Sequence, residues 1–150
     1  MNVPTVLFVC ADNAGVSPMA EAYLNAVAAD RVRAFSAGVE PGERVHAHAI
    51  RALAAAGLPT DGLAPKALEL FAMPQAPVPD IVVALTPAAL GGPEPRWLRP
   101  PRRLAWLLPE PDLARGPAAF ARLLASLTRR IDRALADGAF SPAAAAALPA

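Results

Sequence analysis

A chain of 150 residues with a formal net charge of +1 has room for one compact core and no surplus charge to attract nucleic acid or an anionic membrane surface. Its single cysteine, Cys10, excludes an intramolecular disulfide framework and suits a reducing compartment. No basic segment followed by a long apolar run opens the chain, so a cytoplasmic protein without a signal peptide is expected.

In chain order, Val6-Leu7-Phe8-Val9 predict a buried first strand over residues 5–9. The strand runs into Cys10-Ala11-Asp12-Asn13-Ala14-Gly15-Val16-Ser17, and a helix is expected over 17–29. Pro18 falls in the first turn of that helix, where proline is tolerated, and Met19, Ala20, Tyr23, Leu24 and Val27 form its apolar stripe. A second strand is predicted over 32–35, a turn at Pro41-Gly42, and a helix over 46–56 that stops at Gly57. Residues 67–73 are ambiguous, with a short helix as one reading. A third strand is expected over 81–85, a proline-rich surface loop over 91–101 and a fourth strand over 103–106. The last helix, 117–136, has the clearest stripe: Phe120, Leu123, Leu124, Leu127, Ile131 and Leu135. Its other face carries Arg122, Arg129, Arg130 and Arg133, which reads as a solvated face or, failing that, a partner surface. Residues 138–150 read as a frayed Ala/Pro-rich tail beyond a domain of residues 1–137. Strands alternating with helices imply an α/β fold, a single doubly wound domain whose parallel sheet binds ligands at the strand C-termini.

The junction between the first strand and helix carries the chemistry. A cysteine facing a helix N-terminus sits where backbone N–H groups converge and the helix dipole is positive. That setting favours the nucleophilic thiolate. The same N–H groups make a nest for a tetrahedral oxyanion, so Ala11, Asp12, Asn13, Ala14, Gly15, Val16 and Ser17 are the candidate oxyanion-binding residues around Cys10. Asp12 either turns inward, repelling thiolate and anion alike, or bonds local backbone N–H groups. Ser17 reads as a helix N-cap, with or without a further role in assisting the sulfur as leaving group.

Several segments together resemble the low-molecular-weight protein tyrosine phosphatase superfamily: 6–10, Asn13-Ala14-Gly15, 17–22, Ser36-Ala37-Gly38, Glu40 through His46, Pro65-Lys66, 79–85 and Trp106 through Pro111. Asn13-Ala14-Gly15 with Glu40-Pro41-Gly42 is most similar to its arsenate reductase branch. The resemblance spans residues 4–137 and implies a four-stranded parallel sheet of order 2-1-3-4 with helices on both faces. It makes Cys10 the nucleophile and Glu110 the general acid, and it gives Asn13 and Ser36 the role of holding the loop in shape. Its implied ligand is phosphate, arsenate or a sulfate-like oxyanion.

Three departures fall on chemical positions. Val16 stands where the family has an arginine, whose planar fork is suited to transition-state oxygens. Glu110 is one methylene longer than the family's aspartate, and it reads either as an acid over the loop or as a solvated residue, with Asp112 as a substitute. Leu85-Thr86-Pro87 stands where some arsenate reductases keep a resolving cysteine, so any redox cycle would need an external thiol. Arg44 and Arg115 lie in loops from which a replacement cation could come. His46 and His48 read as a solvated helix start, and neither a metal nor another cofactor is expected. Two classes stay open: a weak or altered enzyme using Cys10, and a non-catalytic binding module on the same fold, whose protein partner the sequence does not name.

Overall fold

The computed structural model describes residues 3–91, 94–108 and 116–146. Four strands, β1 (Thr5–Cys10), β2 (Arg33–Gly38), β3 (Ile81–Ala84) and β4 (Arg102–Ala105), form one sheet of order β2-β1-β3-β4. All three pairings are parallel, with Cys10 opposite Gly38, Val9 opposite Ala84, and Ala84 opposite Ala105. The expected architecture is the observed one. The crossovers are α1 (Val16–Ala28), α2 (Ala47–Ala55), a 3-10 turn (Leu68–Ala72) and a short helix α3 (Pro87–Gly91). After β4 come α4 (Gly116–Ala136) and a single-turn α5 (Pro142–Ala145).

Side-chain alternation divides β1 between two apolar layers. Val6, Phe8 and Cys10 face the larger one, shared with α1, α2 and α4. Leu7 and Val9 face the smaller one, closed by Leu68 and Phe71 of the 3-10 turn. All six residues of β1 are buried, which explains why its sequence is an unbroken apolar run rather than an alternating one. The stripe on α4 is buried at Phe120, Leu123, Leu124, Leu127 and Ile131; Leu135 is only partly so, and Ala134 completes the face.

Two expectations fail. Met19, Ala20 and Leu24 of the expected α1 stripe are buried, but Val27 is exposed, and Ala22 and Ala28 complete the buried face. Alanine is equally at home inside and outside, so the true face is masked wherever alanines carry it. Over residues 138–146 the segment after α4 is not frayed. Gly138, at φ 74°, ends the helix in the left-handed conformation that glycine adopts without steric cost, and Ala139 N–H returns to Ala134 C=O at 2.9 Å. This turn swings Phe140 back into the core, where it is 2% exposed and meets Phe8 edge-on at 6.4 Å and Trp106 at 5.9 Å. Ser141 then caps α5, accepting from Ala144 N–H at 3.1 Å.

Candidate active-site loop

Residues 11–15 leave the C-terminal end of β1 and close a turn onto the N-terminus of α1. The connection after β2 wraps this turn. Val39 N–H donates to Cys10 C=O (3.1 Å), Glu40 to Ala11 (2.8 Å), Gly42 to Asp12 (2.9 Å) and His46 to Ala14 (2.7 Å). A trans peptide points its N–H opposite its C=O. With these carbonyls drawn to the outer side, the N–H groups of Ala11, Asp12, Asn13 and Gly15 are directed to the inner side, where the sulfur lies. Asn13 N–H reaches Cys10 Sγ at 3.3 Å.

Asn13 has φ 53°, a left-handed conformation that asparagine tolerates better than most residues. Its side chain is buried and engaged at both ends: Oδ1 accepts from Lys66 N–H at 2.8 Å, and Nδ2 donates to Ser17 Oγ at 2.9 Å. Ser17 Oγ in turn lies 2.8 Å from Cys10 Sγ. Ser17 therefore serves the sulfur directly, and it is a residue of α1 rather than its N-cap, which is Gly15.

Ser36 differs from expectation. Its hydroxyl does not bond the loop but donates to Glu21 Oε1 at 2.5 Å. Burial raises the Glu21 pKa above the ordinary carboxylate range, against the lowering effects of the Ser36 hydroxyl and the nearby Lys66 ammonium. The direct support that sequence reading assigned to Ser36 comes instead from the backbone of Lys66, whose C=O also accepts Gly38 N–H at 2.8 Å. A backbone donor leaves no mark in residue type. The signal that was available is Gly38 itself: a Cβ there would stand 2.8 Å from both Asn13 N and Asp12 C. Gly38→Ala should therefore cost about 1–3 kcal/mol, read as a lowered denaturant midpoint, because both neighbours are backbone and cannot swing away. An unchanged midpoint would mean that the loop does not press on β2.

Asp12 resolves toward both of its alternatives at once. It is exposed, and its Oδ1 accepts Ala14 N–H at 2.9 Å, yet the same oxygen is 3.9 Å from Cys10 Sγ. A negative charge thus stands beside the thiol and occupies one N–H of the turn. Val16 is 0% exposed and packs in the larger apolar layer. His46 caps α2, its Nδ1 accepting from His48 N–H at 3.0 Å, and stacks on Phe120 at 4.7 Å. Arg44 is exposed in the wrapping connection. Beyond β3, Thr86 is buried. Glu110, Asp112 and Arg115 lie outside the described residues; the chain approaches them through Leu107, at φ 44°.

The sequence pattern of low molecular weight phosphotyrosine protein phosphatases matches residues 5–137. The chain belongs to that family. The phosphatase-family fold is shared with solved arsenate reductases. One, in a phosphate-binding state, is 26% identical with a TM-score of 0.74, over 90% of this chain and 98% of that one. Another, from Archaeoglobus fulgidus, is 29% identical with a TM-score of 0.66, over 87% and 98%. A thioredoxin-dependent arsenate reductase from Corynebacterium glutamicum, 24% identical with a TM-score of 0.65, shares the fold over 90% of this chain and 63% of its own. Among the described residues of this phosphatase-family chain, no helix is long and apolar enough to cross a membrane.

Proposed function

We propose that this chain is an oxyanion-binding member of its family, with Cys10 as the reactive group, and that it turns over phosphate esters and arsenate weakly or not at all. The observation that carries this reading is Val16, closed into the apolar core at the position where the family resemblance puts an arginine. The inward N–H groups of Ala11, Asp12, Asn13 and Gly15, with the dipole of α1, still favour a tetrahedral anion. Binding alone does not stabilise charge that develops on the equatorial oxygens during transfer; a fixed cationic fork does. Asp12 weakens even the binding by setting its own carboxylate 3.9 Å from the sulfur. Lys66 is no substitute for the fork, since its Nζ donates to Ala64 C=O at 2.7 Å and leans toward Glu21.

In this reading Cys10 is the nucleophile, Ser17 Oγ and Asn13 N–H stabilise its thiolate, and Glu110 is the acid that would protonate a leaving group. With Cys10 the only cysteine of the chain, arsenate reduction would need an external thiol to resolve the sulfur. Loss of one oxyanion donor costs about 10²–10³ in kcat. The full-length protein should accordingly hydrolyse an aryl phosphate, and reduce arsenate with glutathione or thioredoxin, at least about a hundredfold more slowly than an arginine-bearing relative assayed beside it. Turnover equal to that relative, lost in Cys10→Ser, would overturn the proposal.

A further inference from the structure

Below the loop, away from the wrapping connection, a second set of contacts joins α1, β2 and the segment around Lys66. Glu21 lies one helical turn past Ser17 on α1 and accepts the Ser36 hydroxyl from β2. Lys66 Nζ donates to Ala64 C=O at 2.7 Å and from there stands 4.0 Å from Glu21 Oε1, with the Lys66 and Glu21 side chains 24% and 13% exposed. The same residue's main chain holds the loop on one side of its Cα and the end of β2 on the other. Its N–H holds Asn13 Oδ1, and its C=O holds the N–H of Gly38, the glycine on which the loop backbone rests. Lys66 thus reaches α1 with its side chain and Asn13 with its backbone.

The direction of the Asn13 amide decides what the sulfur feels. An asparagine side chain has one accepting and one donating end. With Oδ1 committed to Lys66 N–H, Nδ2 must face Ser17 Oγ. Ser17 Oγ, having accepted that bond, has its own hydrogen to give to the sulfur 2.8 Å away, and it must give it when the sulfur is a thiolate, which has none to offer. If the Lys66 N–H moves, the amide loses its only fixed end, and the Ser17 hydrogen is free to turn elsewhere.

We propose that Lys66 is a positioning residue for Cys10: its ammonium, bonded to Ala64 C=O and set against Glu21, seats the backbone N–H that orients Asn13, and Asn13 orients the Ser17 hydroxyl toward the sulfur. This rests on Cys10 being the reactive group, but not on the weakness of catalysis. The test is alkylation of Cys10 by iodoacetamide in the full chain, followed across a pH series, because only the thiolate reacts. Lys66→Met should slow alkylation near neutral pH about five- to tenfold, the worth of one ordinary hydrogen bond, because the Ser17 contact is weakened rather than removed. The whole profile should move up by about 0.7–1 pH unit with the high-pH plateau unchanged. Loss of packing alone would change access and hence the plateau. Lys66→Arg keeps a cation opposite Glu21 and should restore the wild-type profile to within about twofold. Glu21→Gln keeps the size of the side chain and removes the counter-charge, so it should shift the profile in the same direction; it carries the test if Lys66→Met does not fold. A folded Lys66→Met or Glu21→Gln chain with the wild-type profile, or a shifted Lys66→Met profile that Lys66→Arg fails to restore, overturns the assignment. Fast phosphatase turnover by the wild type would overturn the proposed function and leave this one standing.

Discussion

Phe140→Ala should destabilise the protein by about 3–5 kcal/mol, although it lies beyond the last residue matched by the family pattern. Phe140 is 2% exposed and completes an aromatic trio with Phe8 of β1 and Trp106 past β4, the latter covered in turn by the Arg130 guanidinium at 5.2 Å. Removing the ring leaves a cavity against the central strand, where Phe8 is itself fully buried and the sheet cannot collapse to fill the space. Truncation after Asp137 should cost at least as much, since it also removes the cap and turn of α5. Urea unfolding of the two variants measures this. A loss below about 1 kcal/mol for Phe140→Ala would mean that the ring is packed against the core without being needed by it.

The contrast between Phe140 and β1 shows what the residues themselves disclose. Val6 through Val9 are readable because a strand buried on both faces demands a continuous apolar run, and nothing else in the chain offers one ending in a cysteine and a tight turn. The stripe of α4 is readable because large side chains recur at helical spacing. Phe140 is a single ring among alanines and prolines, without a period to place it, and only the geometry after Gly138 sends it inward. The site divides in the same way. Cys10 and Ser17 stand out by their places at the strand end and the helix start, and the family resemblance adds Asn13; the three meet through their side chains, which residue type can signal. The grip of Lys66 on Asn13 acts through a main-chain N–H, which any residue but proline supplies. Ser36 was correctly placed beside the site and wrongly paired, because a hydroxyl on β2 can face either the loop or Glu21, and sequence does not decide between two partners of equal reach.

Val16→Arg should convert the loop from a weak anion nest into a strong one, and Asp12→Asn should add to it. Val16 is the first residue of α1, so a side chain extending from its Cα starts beside the turn whose N–H groups point inward. In the absence of an anion the new guanidinium has a poor environment: the position is closed into an apolar layer, and an unpaired charge there is costly. The variant should therefore melt below the wild type in phosphate-free buffer. Phosphate reverses the sign, because a bidentate charge-assisted pair forms only when the anion is present. Stabilisation by the ligand then grows with its concentration over Kd, so the melting point of Val16→Arg should rise with phosphate far more steeply than that of the wild type. Asp12→Asn keeps an oxygen for Ala14 N–H while removing the charge 3.9 Å from the sulfur, so anion affinity and Cys10 alkylation at neutral pH should both increase without loss of the turn. For the double variant, aryl phosphate hydrolysis should rise by about 10²–10³ over the wild type, the scale set by one restored contact to transition-state charge. Calorimetric titration with phosphate separates the possible failures. A double variant that folds, binds phosphate tightly and still does not turn over would place the defect at the acid rather than at the arginine position. One that folds and gains no affinity for phosphate would mean that the turn around Cys10 does not present its N–H groups to an anion at all, and the oxyanion-binding reading would fall with it.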